Sequence, residues 1–223
     1  MNVYDYIINK YKIEVGNQYI IDIPNMVRED LAKLFAELNF KIGVEVGVDK
    51  GDYSEILCKA NPQAKIYGVD PYERVAYEPN IKPHEAGIWE TQEGFDDNYQ
   101  NAVKKLSPCK NYTLIKKYSS EALNDFEDKS LDFVYIDANH DFPNFIYDLH
   151  SWLKKVKMGG IMSGHDYAPY SYRKFNHVKR ALEAYARSYR MIPFFVVGRY
   201  DQIEGEKREK FRSWLWVKDK HHG

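Results

Sequence analysis

The sequence predicts an α/β chain built on a doubly wound sheet, mostly parallel, with helices on both faces and an antiparallel hairpin at its C-terminal end. Three observations predict it. From residue 42 onward, short β-branched apolar runs alternate with amphipathic stretches of helical spacing. The run Ile42-Gly-Val-Glu-Val-Gly-Val48 is apolar on both faces, as a strand in the middle of a parallel sheet must be. Two late runs, Phe194–Gly198 and Ser213–Val217, are joined by a charged turn, Glu204–Lys210, and not by a helix, which calls for antiparallel pairing.

Residues 1–24 read as an aromatic-rich N-terminal extension with a short strand at Tyr19–Ile23. The main domain spans 25–223. Asn25 is placed to cap a helix in which Val27, Leu31, Leu34, Phe35 and Leu38 form one apolar face. The strand at 42–48 comes next, then a helix from Tyr53 to Ala60 that Asn61-Pro62 stops. Lys65–Pro71 is the second strand, ending in Asp70. Residues 72–95 break the pattern: Pro79, Pro83, Gly87 and Gly94 lie among Tyr72, Tyr77, His84 and Trp89 without periodicity, as in a lid or substrate loop. Next come a helix at Asp97–Leu106, a strand at Tyr112–Lys116, the segment Tyr118-Ser119-Ser120 and a short helix at Glu121–Phe126. Leu131–Asp137 is the fourth strand and Phe145–Val156 its helix. Met158-Gly159-Gly160 reads as a tight turn, Ile161–Gly164 as the fifth strand, and Asn176–Tyr189 as the last helix, with Val178, Ala181, Leu182, Tyr185, Ala186 and Tyr189 as its buried stripe.

Composition narrows the class. The 223 residues suit one domain with additions, and 44% hydrophobic residues supply a sizeable core. Thirty-two basic against 33 acidic residues give a net charge of −1, so nothing in the charge balance points to nucleic acid or an anionic membrane. No apolar run reaches membrane-spanning length, and the start lacks a secretory leader pattern. Two cysteines, Cys58 and Cys109, form neither a metal spacing nor a disulfide framework, which fits a reduced, cytoplasmic protein. Oligomeric state stays open, a homo-oligomer included.

The stretch from Glu45 to Gly51 carries the first functional signal. A strand, a glycine turn (Gly47-Val-Asp-Lys-Gly51) and a helix form a cradle in which backbone N–H groups face a ligand. A dinucleotide fingerprint needs Gly-x-Gly-x-x-Gly. Here Asp49 stands where the second glycine would be, which favours S-adenosylmethionine over NAD. Asp70, one strand further on, is placed to bond ribose hydroxyls. Glu45, Asp70, Ser119, Ser120, Asp137, His165 and Asp166 all fall at carboxyl ends of predicted parallel strands, and such a sheet lines them along one crevice.

With these motifs in view, residues 25–217 resemble the class I, Rossmann-like, S-adenosylmethionine-dependent methyltransferases. The likeness is to their small-molecule O-methyltransferase branch, which includes macrocin-type sugar O-methyltransferases and cephalosporin-hydroxylase-like relatives. It rests on Val44-Glu-Val-Gly-Val-Asp-Lys-Gly51, Tyr67-Gly-Val-Asp70, Ser119-Ser-Glu-Ala-Leu123, Leu131–His140 and Gly159–Tyr167. The resemblance implies that the Glu45-x-Gly47 turn holds the methionine part of the cofactor, that Asp70 binds the ribose, and that Ser119 and Ser120 lie near the adenine, where relatives often carry an acidic residue. It implies a divalent cation, magnesium or manganese, on Asp137 and the pair His165–Asp166, where relatives have an acidic pair. His165 is then a ligand or stands behind one. It implies His140 as general base toward a hydroxylated small-molecule acceptor. Two other classes remain: a metal-dependent hydrolase using Asp137, His140, His165 and Asp166, and a non-catalytic cofactor-binding protein on the same fold.

Overall fold

The computed structural model describes residues 2–73, 91–169, 176–191 and 193–219. Most of the expected lid, His84 and Trp89 included, lies outside them, as do His221 and His222.

The elements of the first half are α1 (Val3–Tyr11), β1 (Ile20–Ile23), α2 (Arg28–Glu37), β2 (Ile42–Val46), α3 (Asp52–Ala60), β3 (Lys65–Val69) and α4 (Gln92–Leu106). The second half holds β4 (Tyr112–Ile115), the one-turn α5 (Ser119–Ala122), β5 (Leu131–Ile136), α6 (Phe142–Lys155), β6 (Val156–Tyr167), α7 (Val178–Ser188), β7 (Phe194–Val197) and β8 (Arg212–Val217). One eight-stranded sheet runs β1-β7-β8-β6-β5-β2-β3-β4. All pairings are parallel except those of β8, which lies antiparallel to both β6 and β7. The terminal hairpin is therefore inserted into the sheet, and β1 adds a parallel edge strand beyond β7.

Both faces are covered. On one, α1, α2 and α3 pack Ile7, Leu31, Phe35 and Leu57 against Phe133, Tyr135, Phe195 and Leu215, and the Phe35 and Phe133 rings stack 4.0 Å apart. On the other, α6 and α7 pack Phe145, Leu149, Trp152, Leu182 and Tyr185 against Val134, Met162, Trp214 and Trp216. Strand β5 is buried along all six residues, because helices lie above and below it.

Element ends differ from the sequence expectation where local chemistry decides. Helix α2 starts at Arg28 and not at Asn25: the Asp30 side chain accepts the Val27 N–H and closes the first turn there. Helix α4 starts at Gln92, several residues early, because Thr91 caps it through the Gly94 N–H in a stretch with little apolar signal. Met158-Gly159-Gly160 is no turn between elements. It lies inside the long strand β6, where the register against β5 shifts between Leu131 and Phe133, as at a β-bulge. The N–H groups of Gly159 and Lys218 bond across that irregularity to Lys218 and Gly160 carbonyls.

Candidate active site: a glycine cradle beside an acid–histidine cluster

Strands β2 and β3 build one end of the crevice. After Val46 the chain turns at Gly47, whose φ is +92°. A Cβ there would stand 2.1 Å from the Asp137 carbonyl oxygen, so only glycine fits. The close approach is thus to the chain's own β5 end. Asp49 takes a left-handed φ of 49°, and Gly51, at 77°, opens α3. Asp70 holds this turn: its Oδ2 accepts the N–H of Val48 at 2.9 Å and of Asp49 at 3.1 Å, and its Oδ1 accepts that of Tyr72 at 2.8 Å. Burial pushes the Asp70 carboxyl up, and these three donors offset part of that. Tyr72 Oη donates to the Asp49 carbonyl and Asn98 Nδ2 to the Asp49 side chain. Sequence reading did not single out Asn98, a polar position on a helix whose burial only the fold reveals.

Glu45 is 2% exposed. Ser54 Oγ donates to its carboxyl at 2.5 Å and Tyr112 Oη at 2.8 Å. Burial pushes its pKa up to about 8 against those two bonds, so near neutral pH it is held largely protonated. Ser119 Oγ donates to Asp148 at 2.5 Å and accepts from Trp152 Nε1 at 2.8 Å, tying α5 to α6. Ser120 beside it is exposed.

The other end of the crevice is built by the chain leaving β5 and by the end of β6. Asp137 leaves β5, His140 comes three residues later, and His165 and Asp166 lie near the end of β6, with Asp166 at a φ of 61°. Donor atoms of Asp137, His140 and Asp166 all lie within 4.8 Å of one another. His140 Nε2 is 3.1 Å from Asp166 Oδ2 and 3.8 Å from Asp137 Oδ1. His165 Nδ1 is 3.2 Å from Asp166 Oδ2 and 3.7 Å from Asp137 Oδ2. Two imidazoles thus flank one carboxylate pair. Burial alone would lower the His140 pKa, but the neighbouring carboxylates of Asp137 and Asp166 outweigh it and hold it up at about 10. His165 is raised for the same reason, with Asp137 as the largest raising contribution. Burial raises Asp166, but the two imidazoles pull it far below the ordinary carboxylate range. The His140 loop is fixed from behind: its carbonyl accepts the His177 N–H, and His177 Nδ1 accepts the Phe142 N–H.

Two further charged side chains meet this cluster. Arg28, at the start of α2, brings Nη1 to 3.8 Å from Asp137 Oδ2. Glu209 brings Oε1 to 3.9 Å from His165 Nε2, its Oε2 is buried with no hydrogen-bond partner among the described residues, and burial pushes its pKa up to about 7. In the sequence, Arg28 reads as a polar first-turn residue and Glu209 as part of a solvated charged turn. Nothing local marked either.

With its glycine turn at the end of β2 beside acidic and imidazole side chains at the ends of β5 and β6, the chain is a Rossmann-like α/β protein whose strand order reverses between β5 and β2. The chain belongs to the methyltransferase domain family, whose model matches residues 44–167, and is an S-adenosylmethionine-dependent methyltransferase. The matched span runs from the cradle through Asp166. Among curated relatives, the uncharacterized protein R132 of Acanthamoeba polyphaga mimivirus is 25% identical over 189 residues, covering 81% of this chain and 76% of that one. Among solved structures, the O-methyltransferase TomG of Streptomyces achromogenes, involved in tomaymycin synthesis and solved with S-adenosylmethionine, superposes with a TM-score of 0.57 at 14% identity, over 86% of this chain and 79% of that one. A Bacillus cereus O-methyltransferase solved with S-adenosylhomocysteine gives 0.57 at 11% identity, over 98% and 91%. At such identities these structures share the fold. No helix among the described residues is long and apolar enough to cross a membrane.

Proposed function

We propose that the protein is an O-methyltransferase acting on a hydroxyl of a sugar or other small polar metabolite, assisted by a divalent cation. The observation that carries this is the convergence of Asp137, His140 and Asp166 donor atoms within 4.8 Å of one another, at the ends of β5 and β6, where the Asp137 backbone packs against Gly47. In this reading Gly47, Gly51 and the amides at the start of α3 cradle the cofactor. Asp70 has room for a ribose hydroxyl on Oδ1, which takes one N–H where Oδ2 takes two. The Ser119 hydroxyl is engaged with Asp148 and Trp152, so contacts from Ser119–Ser120 to the adenine run through the backbone and Ser120. When bound, S-adenosylmethionine supplies an electrophilic sulfonium methyl.

The carboxylate pair fits a hard cation. Two aspartates suit magnesium or manganese, and an imidazole beside them also admits a later transition metal; without a metal the protonated His140 is the cation between them. When bound, a divalent ion supplies positive charge that lowers the pKa of a nearby hydroxyl. Asp137 and Asp166 would hold it, with His165 beside them. His140, on the loop leaving the same strand as Asp137, takes the acceptor proton at Nε2, and the chain's main contribution is alignment of the two reactants. A nearby positive charge favours the neutral imidazole that this step needs.

The 4.8 Å grouping also favours a second reading, in which His140 is itself a ligand and His165 takes the proton. His140→Ala separates the two. With His140 as base, the variant keeps manganese binding and S-adenosylhomocysteine affinity but loses about 100-fold or more in turnover on a hydroxylated acceptor. Lost manganese binding supports the second reading. Full turnover after exhaustive EDTA treatment eliminates the cation from both.

A further inference from the structure

The turn between β7 and β8 buries one acid beside the acid–histidine cluster and builds a niche for it. The Glu209 side chain is 11% exposed. It packs over Gly198, where a Cβ would stand 2.9 Å from the Glu209 Cβ and 3.3 Å from Oε2. Gly198 has a φ of +67°, which glycine takes without strain, and the missing side chain leaves the carboxylate its room. The Glu209 N–H donates to the Arg199 carbonyl at 2.8 Å, and Ser213 Oγ donates to Oε1 at 3.4 Å. Among the described residues Oε2 has no hydrogen-bond partner, and burying such an oxygen costs stability.

This acid faces His165. The histidine is held as well: its carbonyl accepts the Trp214 Nε1–H at 3.1 Å, and the Phe211 ring lies 6.4 Å from its own, centroid to centroid. Its two nitrogens look in different directions. Nδ1 is 3.2 Å from Asp166 Oδ2 and 3.7 Å from Asp137 Oδ2, whereas Nε2 is 3.9 Å from Glu209 Oε1. An imidazole that offers a lone pair on one nitrogen carries its proton on the other, and the group facing that proton decides which. The two aspartates by themselves favour the proton on Nδ1. For His165 to offer Nδ1 toward them as a lone pair, its proton must stand on Nε2, and the carboxylate on that side is Glu209. We propose that Glu209 is a positioning residue that holds the His165 proton on Nε2. It thereby makes the cluster a site for cations that accept an imidazole nitrogen, later transition ions ahead of magnesium. This rests on the divalent-cation reading.

The test is cation binding without cofactor or acceptor, with cobalt(II) read by calorimetry and magnesium by competition. Wild type should bind cobalt(II) more tightly than magnesium. Glu209→Gln should shrink that preference about 10- to 100-fold, because losing charge alone weakens both cations alike. In a His165→Ala background the same substitution should leave the preference unchanged. Glu209→Asp keeps the charge with a shorter reach and should show an intermediate preference, and it carries the test if Glu209→Gln fails to fold. Imidazole NMR of the zinc-loaded wild type should place the His165 proton on Nε2, a signature that a merely structural acid would not produce. A parallel loss of both cations in Glu209→Gln, an unchanged preference, an undiminished effect without His165, or a His165 proton on Nδ1 each overturns the proposal and leaves the cation reading intact. Binding of neither cation by wild type sinks both.

Discussion

The two ends of the crevice are built on opposite principles. At the cradle, charge is consumed by the backbone: Asp70 accepts three main-chain N–H groups at 2.8–3.1 Å, and the turn it holds allows no side chain at Gly47. At the acid–histidine end, charge faces charge: Asp137 lies 3.7–3.8 Å from two histidines and Arg28 and makes no close bond with any of them. The first end is a finished piece of structure. The second is a set of groups with unused capacity, able to accept a cation or a proton. Substitutions should therefore damage the fold at one end and the chemistry at the other.

Gly47→Val gives the largest effect. Its Cβ has no room against the Asp137 carbonyl, and valine is strained at a φ of +92°. The cost should be roughly 3 kcal/mol or more, with S-adenosylhomocysteine binding lost. Urea unfolding together with calorimetry reads both. A variant of wild-type stability and affinity would mean that the turn is not built as described.

Asp70→Ala and Asp137→Asn compare the two ends directly. Removing Asp70 orphans three N–H groups and should cost about 3 kcal/mol along with most cofactor affinity. Asp137→Asn should stay within about 1 kcal/mol of wild type, since its contacts are long and its side chain is 25% exposed. It should keep S-adenosylhomocysteine binding and lose the response to manganese. If Asp137→Asn unfolds as readily as Asp70→Ala, the contrast between the ends is wrong.

The same contrast explains what could be read without coordinates. Parallel strands buried on both faces announce themselves as apolar runs, so β2, β3 and β5 and the side chains at their carboxyl ends were legible, Asp70 and Asp137 among them. What those side chains bond to was not. Spacing placed Asp70 at the ligand crevice but could not show that it also holds the glycine turn through Val48 and Asp49. The bulge in β6 hid behind Gly159-Gly160, which has the composition of a turn. Arg28 and Glu209 were invisible because a charge at a helix start or in a hairpin reads the same whether it faces water or a crevice. Their placement depends on α2 and β8 meeting β5 and β6, and no local pattern encodes that.

Ser119 marks where the cradle stops, and the smallest predicted effect tests that boundary. Its hydroxyl joins Asp148 and Trp152 and makes α5 part of the α6 packing. Burial pushes the Asp148 carboxyl up to about 6, the Ser119 bond lowers it in part, and Asp141 adds to the rise. The folded protein therefore holds this proton more tightly than the unfolded chain, whose aspartates titrate near 3.9. Below about pH 4 the group costs nothing, because it is protonated in both states. As pH rises through about 6 the folded state must ionise a buried acid, and stability falls to a plateau. Asp148→Asn keeps an acceptor for Ser119 and cannot ionise. Relative to wild type it should gain roughly 1–2 kcal/mol between about pH 4 and pH 8 in urea unfolding, with S-adenosylhomocysteine affinity unchanged at the higher pH. A variant whose stability tracks wild type across that range would show that Asp148 is not the buried acid. One that loses cofactor affinity would extend the cradle through Ser119 into α6.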